Sequence, residues 1–462
     1  MLQRYIGDRA FYKRVFAIAI PIMLQNLITN FVALLDNLMV GQLSTAEISG
    51  VTISNNNLLF IFNICLFGAA AGAGIFTTQF HGSKNDEGIR HTFRFKILIS
   101  LLLTAVGVAI FYFAAEPMIG LYLQGDGDPQ VAADTLKAGR EYLHMMLWGM
   151  LPFAITNAYA GTLRECGHPK VPMVAGMAAT GVNLVLNYIL IFGHFGAPAM
   201  GVRGAALATV ISRYVETAIV VVWTHSHTDL NPYATGLYRS MYIPGKLLGK
   251  IIVKGMPLLW NEFFWTIGMA FVNQCYSTCG LDVVPAMSIC TTIYNLMAVV
   301  FRSLGNTVGI IMGQMLGAGR DKKEVLDWNQ KLLALAGASG VCFGILAASL
   351  SGLFPQLYNT TDQVRHLATQ LILIAAVLMP LQAYSFPVYF TLRSGGKTLI
   401  TFLFDCGAIW LLYLPIAFTL SKWTNLSILV IYFLCNATDL IKCVAGHILI
   451  RSGTWIQNLA KE

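Results

Sequence analysis

The sequence predicts an all-α membrane protein, with twelve transmembrane helices in two pseudo-symmetric six-helix lobes. Composition, an internal repeat and the placement of charge all point there. Of 462 residues, 56% are hydrophobic and only 11% charged, whereas soluble domains carry roughly 25% charged residues. A soluble fold cannot hide that much apolar surface, so most of the chain faces lipid. The repeat shows as matching text. Ala19-Ile20-Pro21 is echoed by Gly255-Met256-Pro257, 257 − 21 = 236 positions on. Gln79-Phe80-His81-Gly82 is echoed by Gln314-Met315-Leu316-Gly317, 314 − 79 = 235 positions on. Leu163-Arg164-Glu165-Cys166-Gly167 has a looser echo in Leu392-Arg393-Ser394-Gly395-Gly396. A duplicated apolar chain is typical of two-lobed transporters, whose binding sites lie where repeats meet.

Apolar stretches of spanning length fall near 15–40, 51–79, 95–115, 136–162, 171–193 and 202–224 in the first half. In the second half they fall near 247–276, 284–316, 332–354, 366–390, 398–420 and 426–450. Several exceed the ~20 residues needed to cross a bilayer, so tilt or extension beyond it is expected. The first span follows Arg4, Arg9, Lys13 and Arg14 and runs past Asp36 without a cleavage-site pattern, so it reads as a retained helix rather than a signal peptide. The expected organisation is an N-lobe over 1–226, a cytoplasmic linker over 227–246 and a C-lobe over 247–462. His225 and His227, beside the linker, read as loop residues; His-Ser-His alone is weak evidence for metal.

The net charge of +8 does not point to nucleic acid, because the basic residues sit in alternate short gaps. Lys84, Arg90, Arg94 and Lys96 fill the second gap, and Arg164 and Lys170 the fourth. Arg239, Lys246, Lys250 and Lys254 lie in or beside the sixth. Arg320, Lys322, Lys323 and Lys331 belong to the eighth, and Arg393 and Lys397 to the tenth. The intervening gaps are acidic or poor in base: Glu47; Glu116, Asp126 and Asp128; Arg203; Asp282; Asp362 and Arg365; Lys422. The positive-inside rule then places both termini in the cytoplasm. The nine cysteines are scattered without a CxxC set, so no disulfide or metal site is expected.

Ionisable groups inside spans are costly and usually face a cavity or a partner. Asp36, late in the first span, is either a helix-end carboxylate near the outer interface or a group that takes up a proton or a cation. It stands as the single carboxylate of the N-lobe core. Glu262 sits early in the seventh span, in Trp260-Asn261-Glu262-Phe263-Phe264-Trp265. A carboxylate among aromatic faces attracts an organic cation; the alternative is a structural acid bonded to a neighbouring helix. Arg213 with Glu216, and Asp439 with Lys442, have i,i+3 spacing and read as structural pairs. Asp405 has no evident partner. Asn55, Asn56 and Asn57 run together in the second span, and Asn183 and Asn187 share one face of the fifth. Such amides join helices in lipid or surround an ion. Pro21, Pro152, Pro257 and Pro380 allow bends.

The most specific text is Asn183-Leu184-Val185-Leu186-Asn187-Tyr188-Ile189-Leu190-Ile191-Phe192-Gly193, followed by Gly201-Val202-Arg203-Gly204-Ala205-Ala206-Leu207-Ala208-Thr209. With Pro21, Asp36, Gly41, Gln314 and Gly317-Ala318-Gly319-Arg320, this resembles the multidrug and toxic compound extrusion (MATE) transporters of the MOP flippase superfamily. The resemblance covers nearly the whole chain. It implies a V-shaped pair of six-helix lobes that alternates between inward and outward openings. It also implies export driven by a proton or sodium gradient. The family's first-span coupling aspartate matches Asp36. The neighbouring polar groups match Asn183, Asn187 and Thr209. Some relatives have an aspartate where Asn187 stands. The seventh-span glutamate of other branches matches Glu262, but their tenth-span aspartate has no match, since that span offers Gln370 and Gln382.

Asp36, Asn183, Asn187 and Thr209 are therefore the candidate cation-coupling set. Glu262, Trp260, Trp265, Asn55, Asn56 and Asp405 are the candidate substrate-binding set. The expected function is cation-coupled antiport of small amphipathic, often cationic organic compounds, with protons favoured over sodium and no resident cofactor. The expected setting is the cytoplasmic (inner) membrane, as a monomer among lipids, with no nucleic-acid partner. A lipid-linked oligosaccharide flippase of the same superfamily is the alternative; it needs a basic cavity, and Arg302 is the main mid-span base. An integral-membrane enzyme is weaker still, because no HExxH, nucleophile elbow or His/Asp cluster is present.

Overall fold

A computed structural model describes residues 5–123 and 129–461. Arg4, Asp126 and Asp128 lie outside the described residues. The chain folds into long helices, and no strand occurs among the described residues. The first half forms α1 (Arg9–Val40), α2 (Thr45–Gly82), α3 (Asp86–Phe113), α4 (Pro129–Glu165), α5 (Lys170–Phe192) and α6 (Val202–Ser226). The second half forms α7 (Gly245–Ser277), α8 (Val283–Gly317), α9 (Lys322–Leu350), α10 (Asp362–Ser394), α11 (Thr398–Trp423) and α12 (Ile428–Ser452). Ten of these contain a stretch long and apolar enough to cross a membrane. The other two, α4 and α7, are 37 and 33 residues long; polar residues inside them, His144 and Asn157 in α4 and Asn261 and Glu262 in α7, interrupt their apolar runs. This is a multi-pass membrane protein. Each expected span coincides with a helix, but those at 95–115, 171–193, 332–354 and 426–450 overrun their helices at one end by one to four residues. The other helices reach or extend beyond the apolar stretch at both ends.

Local chemistry sets several helix starts. Ser44 and Glu47 form a reciprocal capping box at the start of α2: the Ser44 hydroxyl accepts from the Glu47 N–H, and Glu47 accepts from the Ser44 N–H. Asn85 caps α3 by accepting from the Gly88 N–H at 2.8 Å. The four prolines singled out above lie inside continuous helices. Irregular winding appears elsewhere, as π-helical stretches at Ile53–Leu59 in α2 and at Leu403–Gly407 and Ile409–Tyr413 in α11.

The chain divides into two compact units. The first holds Leu24–Thr77 and Asn85–Ile251; the second holds the chain through Met23, Thr78–Lys84 and everything from Ile252 on. This differs from the expected division at 226 and 247. The expected linker belongs to the first unit, because α3 holds it there. Arg94 donates to the Leu237 and Gly236 carbonyls at 2.9 and 3.1 Å, and Arg90 donates to the Tyr233 carbonyl at 3.2 Å. Tyr233 and Leu237 are buried. His225 is not a loop residue but closes α6, and His227 lies just past its end; both are half-buried. His225 Nε2 lies 2.9 Å from the Tyr159 hydroxyl, and His227 stacks on Trp223 at 4.7 Å. Nor is Lys96 a gap residue: it is 1% exposed and ion-paired with Glu165.

The second unit gains its first residues through apolar burial. Phe11, Val15, Ala19 and Ile22 of α1 join one core with residues of α8, α9, α10 and Trp455. The repeated Gln-x-x-Gly text also meets itself here. A Cβ on Gly82 would lie 2.0 Å from the Gln314 carbonyl oxygen, and one on Gly317 would lie 1.8 Å from that of Gln79. Only glycine permits both approaches. The Gln79 amide is fully buried. It donates to the Ser394 and Gln457 carbonyls and accepts from the Leu459 N–H.

Candidate functional site

In the first unit, helical periodicity brings Asn183 and Asn187 to one buried face of α5, opposite Asp36 of α1. Asn187 Nδ2 donates to Asp36 Oδ1 at 2.7 Å and to Asn183 Oδ1 at 3.2 Å. Asn183 Nδ2 donates to the Thr209 hydroxyl at 3.2 Å, and that hydroxyl donates to the Ala205 carbonyl of α6 at 3.0 Å. The structure thus joins all four candidate coupling residues in one hydrogen-bonded chain across three helices.

That chain faces a cavity of about 270 Å³. Asn55 and Asn56 reach its wall from the π-helical stretch of α2, bonded to each other at 3.3 Å. The extra residue per turn in such a stretch redirects side chains, and π-bulges recur at functional sites. Tyr142, Met150 and Phe153 of α4 supply apolar and aromatic wall.

Arg213 and Glu216 of α6 line the same cavity. Their i,i+3 pair forms as expected, at 3.3 Å. Its position corrects the picture of Asp36 as a lone carboxylate, because the cavity holds two carboxylates and one guanidinium. With all three ionised it carries one negative charge in excess. Sequence spacing identifies the pair but not the face of α6 that meets α4. Thr217 marks that face: its hydroxyl lies 2.8 Å from the Pro152 carbonyl and 2.8 Å from the Thr156 hydroxyl of α4.

The remaining candidates lie in the second unit and do not share this cavity. Asp405 has partners after all. Lys442 Nζ lies 3.1 Å from its Oδ1, and Asn261 Nδ2 donates to its Oδ2 at 3.2 Å. Lys442 also sits 5.4 Å from the Phe404 ring centroid. Lys442 also interacts with Asp439, three residues before it, but its close ion pair is this contact between helices. Trp260 packs on Phe263 and Phe264, with centroids 5.9 and 5.7 Å away. It faces an apolar groove of about 430 Å³ lined by Pro257, Phe264, Leu399 and Phe402, among others. Glu262 does not line that groove. Trp260 and Trp265 are five residues apart, hence about 140° apart around the helix, so they do not box Glu262 between them.

The MatE family model matches residues 21–189 and 257–419, one match in each half of the chain. The chain is 23% identical over 447 residues to a probable multidrug resistance protein NorM of Thermotoga maritima, covering 96% of this chain and 93% of that one. Its fold is similar to that of the Vibrio cholerae MATE transporter VcmN in a bent form. There the TM-score is 0.84 at 16% identity, over 97% of this chain and 99% of that one. It is also similar to a multidrug resistance MATE family transporter of the MOP superfamily in an outward-facing conformation. For that structure the TM-score is 0.81 at 18% identity, over 98% of both chains. With both repeats matched, this chain belongs to the MatE family, whose members are membrane transporters and not enzymes.

Proposed function

We propose that this protein is a secondary active exporter of small amphipathic, often cationic compounds, driven by protons and working by alternating access. The observation that carries the reading is the Asn187–Asp36 hydrogen bond at 2.7 Å, facing a cavity in the first unit. The names of similar proteins, which include probable multidrug resistance proteins of Thermotoga maritima and Bacillus subtilis, support the substrate class. Ionisable groups at membrane depth are retained mainly for ion pathways and proton relays. Asp36 takes a proton from outside as substrate leaves, and returns it to the cytoplasm to reset the carrier. Protons are favoured over sodium because the amides around Asp36 add no charge and Glu216 already has Arg213. One proton then suffices to neutralise the coupling group. No resident cofactor takes part. The protein acts as a monomer among the lipids of the cytoplasmic membrane, with both termini inside. The excess negative charge of the cavity opposes a pyrophosphate-linked sugar, which weighs against a flippase.

Efflux from proteoliposomes under a pH gradient or a sodium gradient, imposed separately, tests the reading. Export of a cationic dye should follow the pH gradient alone. Strict sodium dependence would overturn the choice of ion, and no export under either gradient would overturn the function.

A further inference from the structure

Within the cavity, the Arg213 guanidinium lies 4.5 Å from the centroid of the Phe153 ring, well inside the ~6 Å at which a cation is drawn to an aromatic face. Its Nη1 is 3.3 Å from Glu216 Oε2. A ring face and a buried carboxylate around one flat cation make a complete organic-cation site, occupied here by the chain itself. We infer that small, flat, monovalent organic cations bind between Phe153 and Glu216 by displacing the Arg213 guanidinium.

Three features favour displacement. The ion pair is single-pronged, and longer than the ~2.7–2.9 Å of a tight charge-assisted hydrogen bond. The Arg213 side chain is 37% exposed against 11% for Glu216, so the guanidinium has somewhere to go while the carboxylate stays. The walls do not depend on Arg213: Thr217 is bonded to the Thr156 hydroxyl at 2.8 Å and to the Pro152 carbonyl at 2.8 Å. Those bonds fix α6 against α4 next to Phe153. Across the site, a Cβ at Gly176 of α5 would lie 3.5 Å from Gln25 Nε2 and 3.7 Å from Glu216 Oε1, so α5 and Gln25 close the far side. The titratable groups lining the cavity are Asp36, Tyr142, Arg213 and Glu216, and Arg164 acts on Glu216 from beyond the lining. The two lining carboxylates against one lining guanidinium suit a monovalent cation. The cavity, about 270 Å³, is at the small end of ligand pockets, which run roughly 300–1,000 Å³.

The inference rests on the reading of the chain as an exporter of organic cations, and its test is separable from that reading. Protein purified in detergent, at one fixed pH and with no ion gradient, is titrated with 4-fluorobenzamidinium and its neutral analogue 4-fluorobenzamide, and binding is followed by fluorine NMR. Arg213→Met vacates the site and should tighten binding of the cation about tenfold, with no gain for the neutral analogue. Adding Glu216→Gln should remove that gain. Phe153→Leu in the native background should weaken the cation about fivefold. Unchanged affinity in Arg213→Met, or a gain that survives Glu216→Gln, overturns the proposal. Should Arg213→Met not fold, unchanged binding in Phe153→Leu overturns it alone. Because binding is read at equilibrium, failure of ion-driven transport leaves this result intact, and failure here leaves transport intact.

Discussion

Asn187 is the residue through which the site stands or falls locally. Its amide bridges Asp36 and Asn183, so Asn187→Ala removes a donor from a half-buried carboxylate. Losing such a partner costs about 1–3 kcal/mol. The expected result is a tenfold or greater drop in pH-driven export with normal membrane insertion, measured in proteoliposomes; native rates would remove Asn187 from the coupling set. Cys166 illustrates a different residue-scale effect. It lies just past the end of α4 and is 3% exposed. Burial, and secondarily the Glu165 carboxylate, push its thiol well above the usual range. The thiolate is the reactive form, so Cys166 should resist maleimide at neutral pH until the protein is unfolded. Mass spectrometry of the labelled peptide would show this, and rapid labelling of native protein would contradict it. At this scale much was legible in the sequence. The i,i+4 spacing of Asn183 and Asn187 announced a shared face, and Asp36 stood out by charge. The Lys442–Asp405 contact was not legible, because 37 residues separate the partners and a closer acid, Asp439, competed for the lysine by spacing.

At the scale of elements, the repeat is a physical device as well as a record of duplication. The ends of α2 and α8 approach through Gly82 and Gly317, each against the other helix's glutamine carbonyl. Gly317→Ala would place a methyl group into backbone that has no rotamer escape. It should lower the yield of folded protein, read by size-exclusion chromatography in detergent, where Gly337→Ala, with nothing within 4 Å of its Cβ, should not. The chain after α12 reinforces the same region. Trp455 is fully buried, and the Leu459 N–H reaches the Gln79 side chain. Trp455→Ala should cost about 3–5 kcal/mol and lower the melting temperature, whereas Trp423→Ala, at a tryptophan that is 72% exposed, should change it little. Equal effects would contradict this account of the tail. The sequence showed the Gln-x-x-Gly echo but not that the two copies meet. It gave no sign of the π-helical stretches in α2 and α11, because no residue type marks a π-turn as proline marks a bend. For the same reason Asn55 and Asn56 could be identified as polar, but not placed on the wall of the Asp36 cavity.

For the whole molecule, hydropathy and charge alternation were enough to count the spans, because each reflects bulk transfer energetics rather than contacts. The unit boundaries were less legible. Which helix ends join which unit depends on Phe11, Val15 and Ala19 finding partners in the second half of the chain. The fate of the expected linker depends likewise on Arg90 and Arg94 finding its carbonyls. Orientation remains a direct test of the charge argument. In a background without native cysteines, a cysteine at Lys322 should label only from the cytoplasmic side and one at Thr424 only from outside; the reverse would sink the both-ends-inside topology. The central claim is that Asp36 couples ion entry to export. Its most direct test is uphill export of a cationic dye by Asp36→Asn in proteoliposomes carrying a pH gradient. The account predicts that gradient-driven export is abolished while the variant stays folded and inserted in the membrane. Export at the native rate by that variant would contradict it.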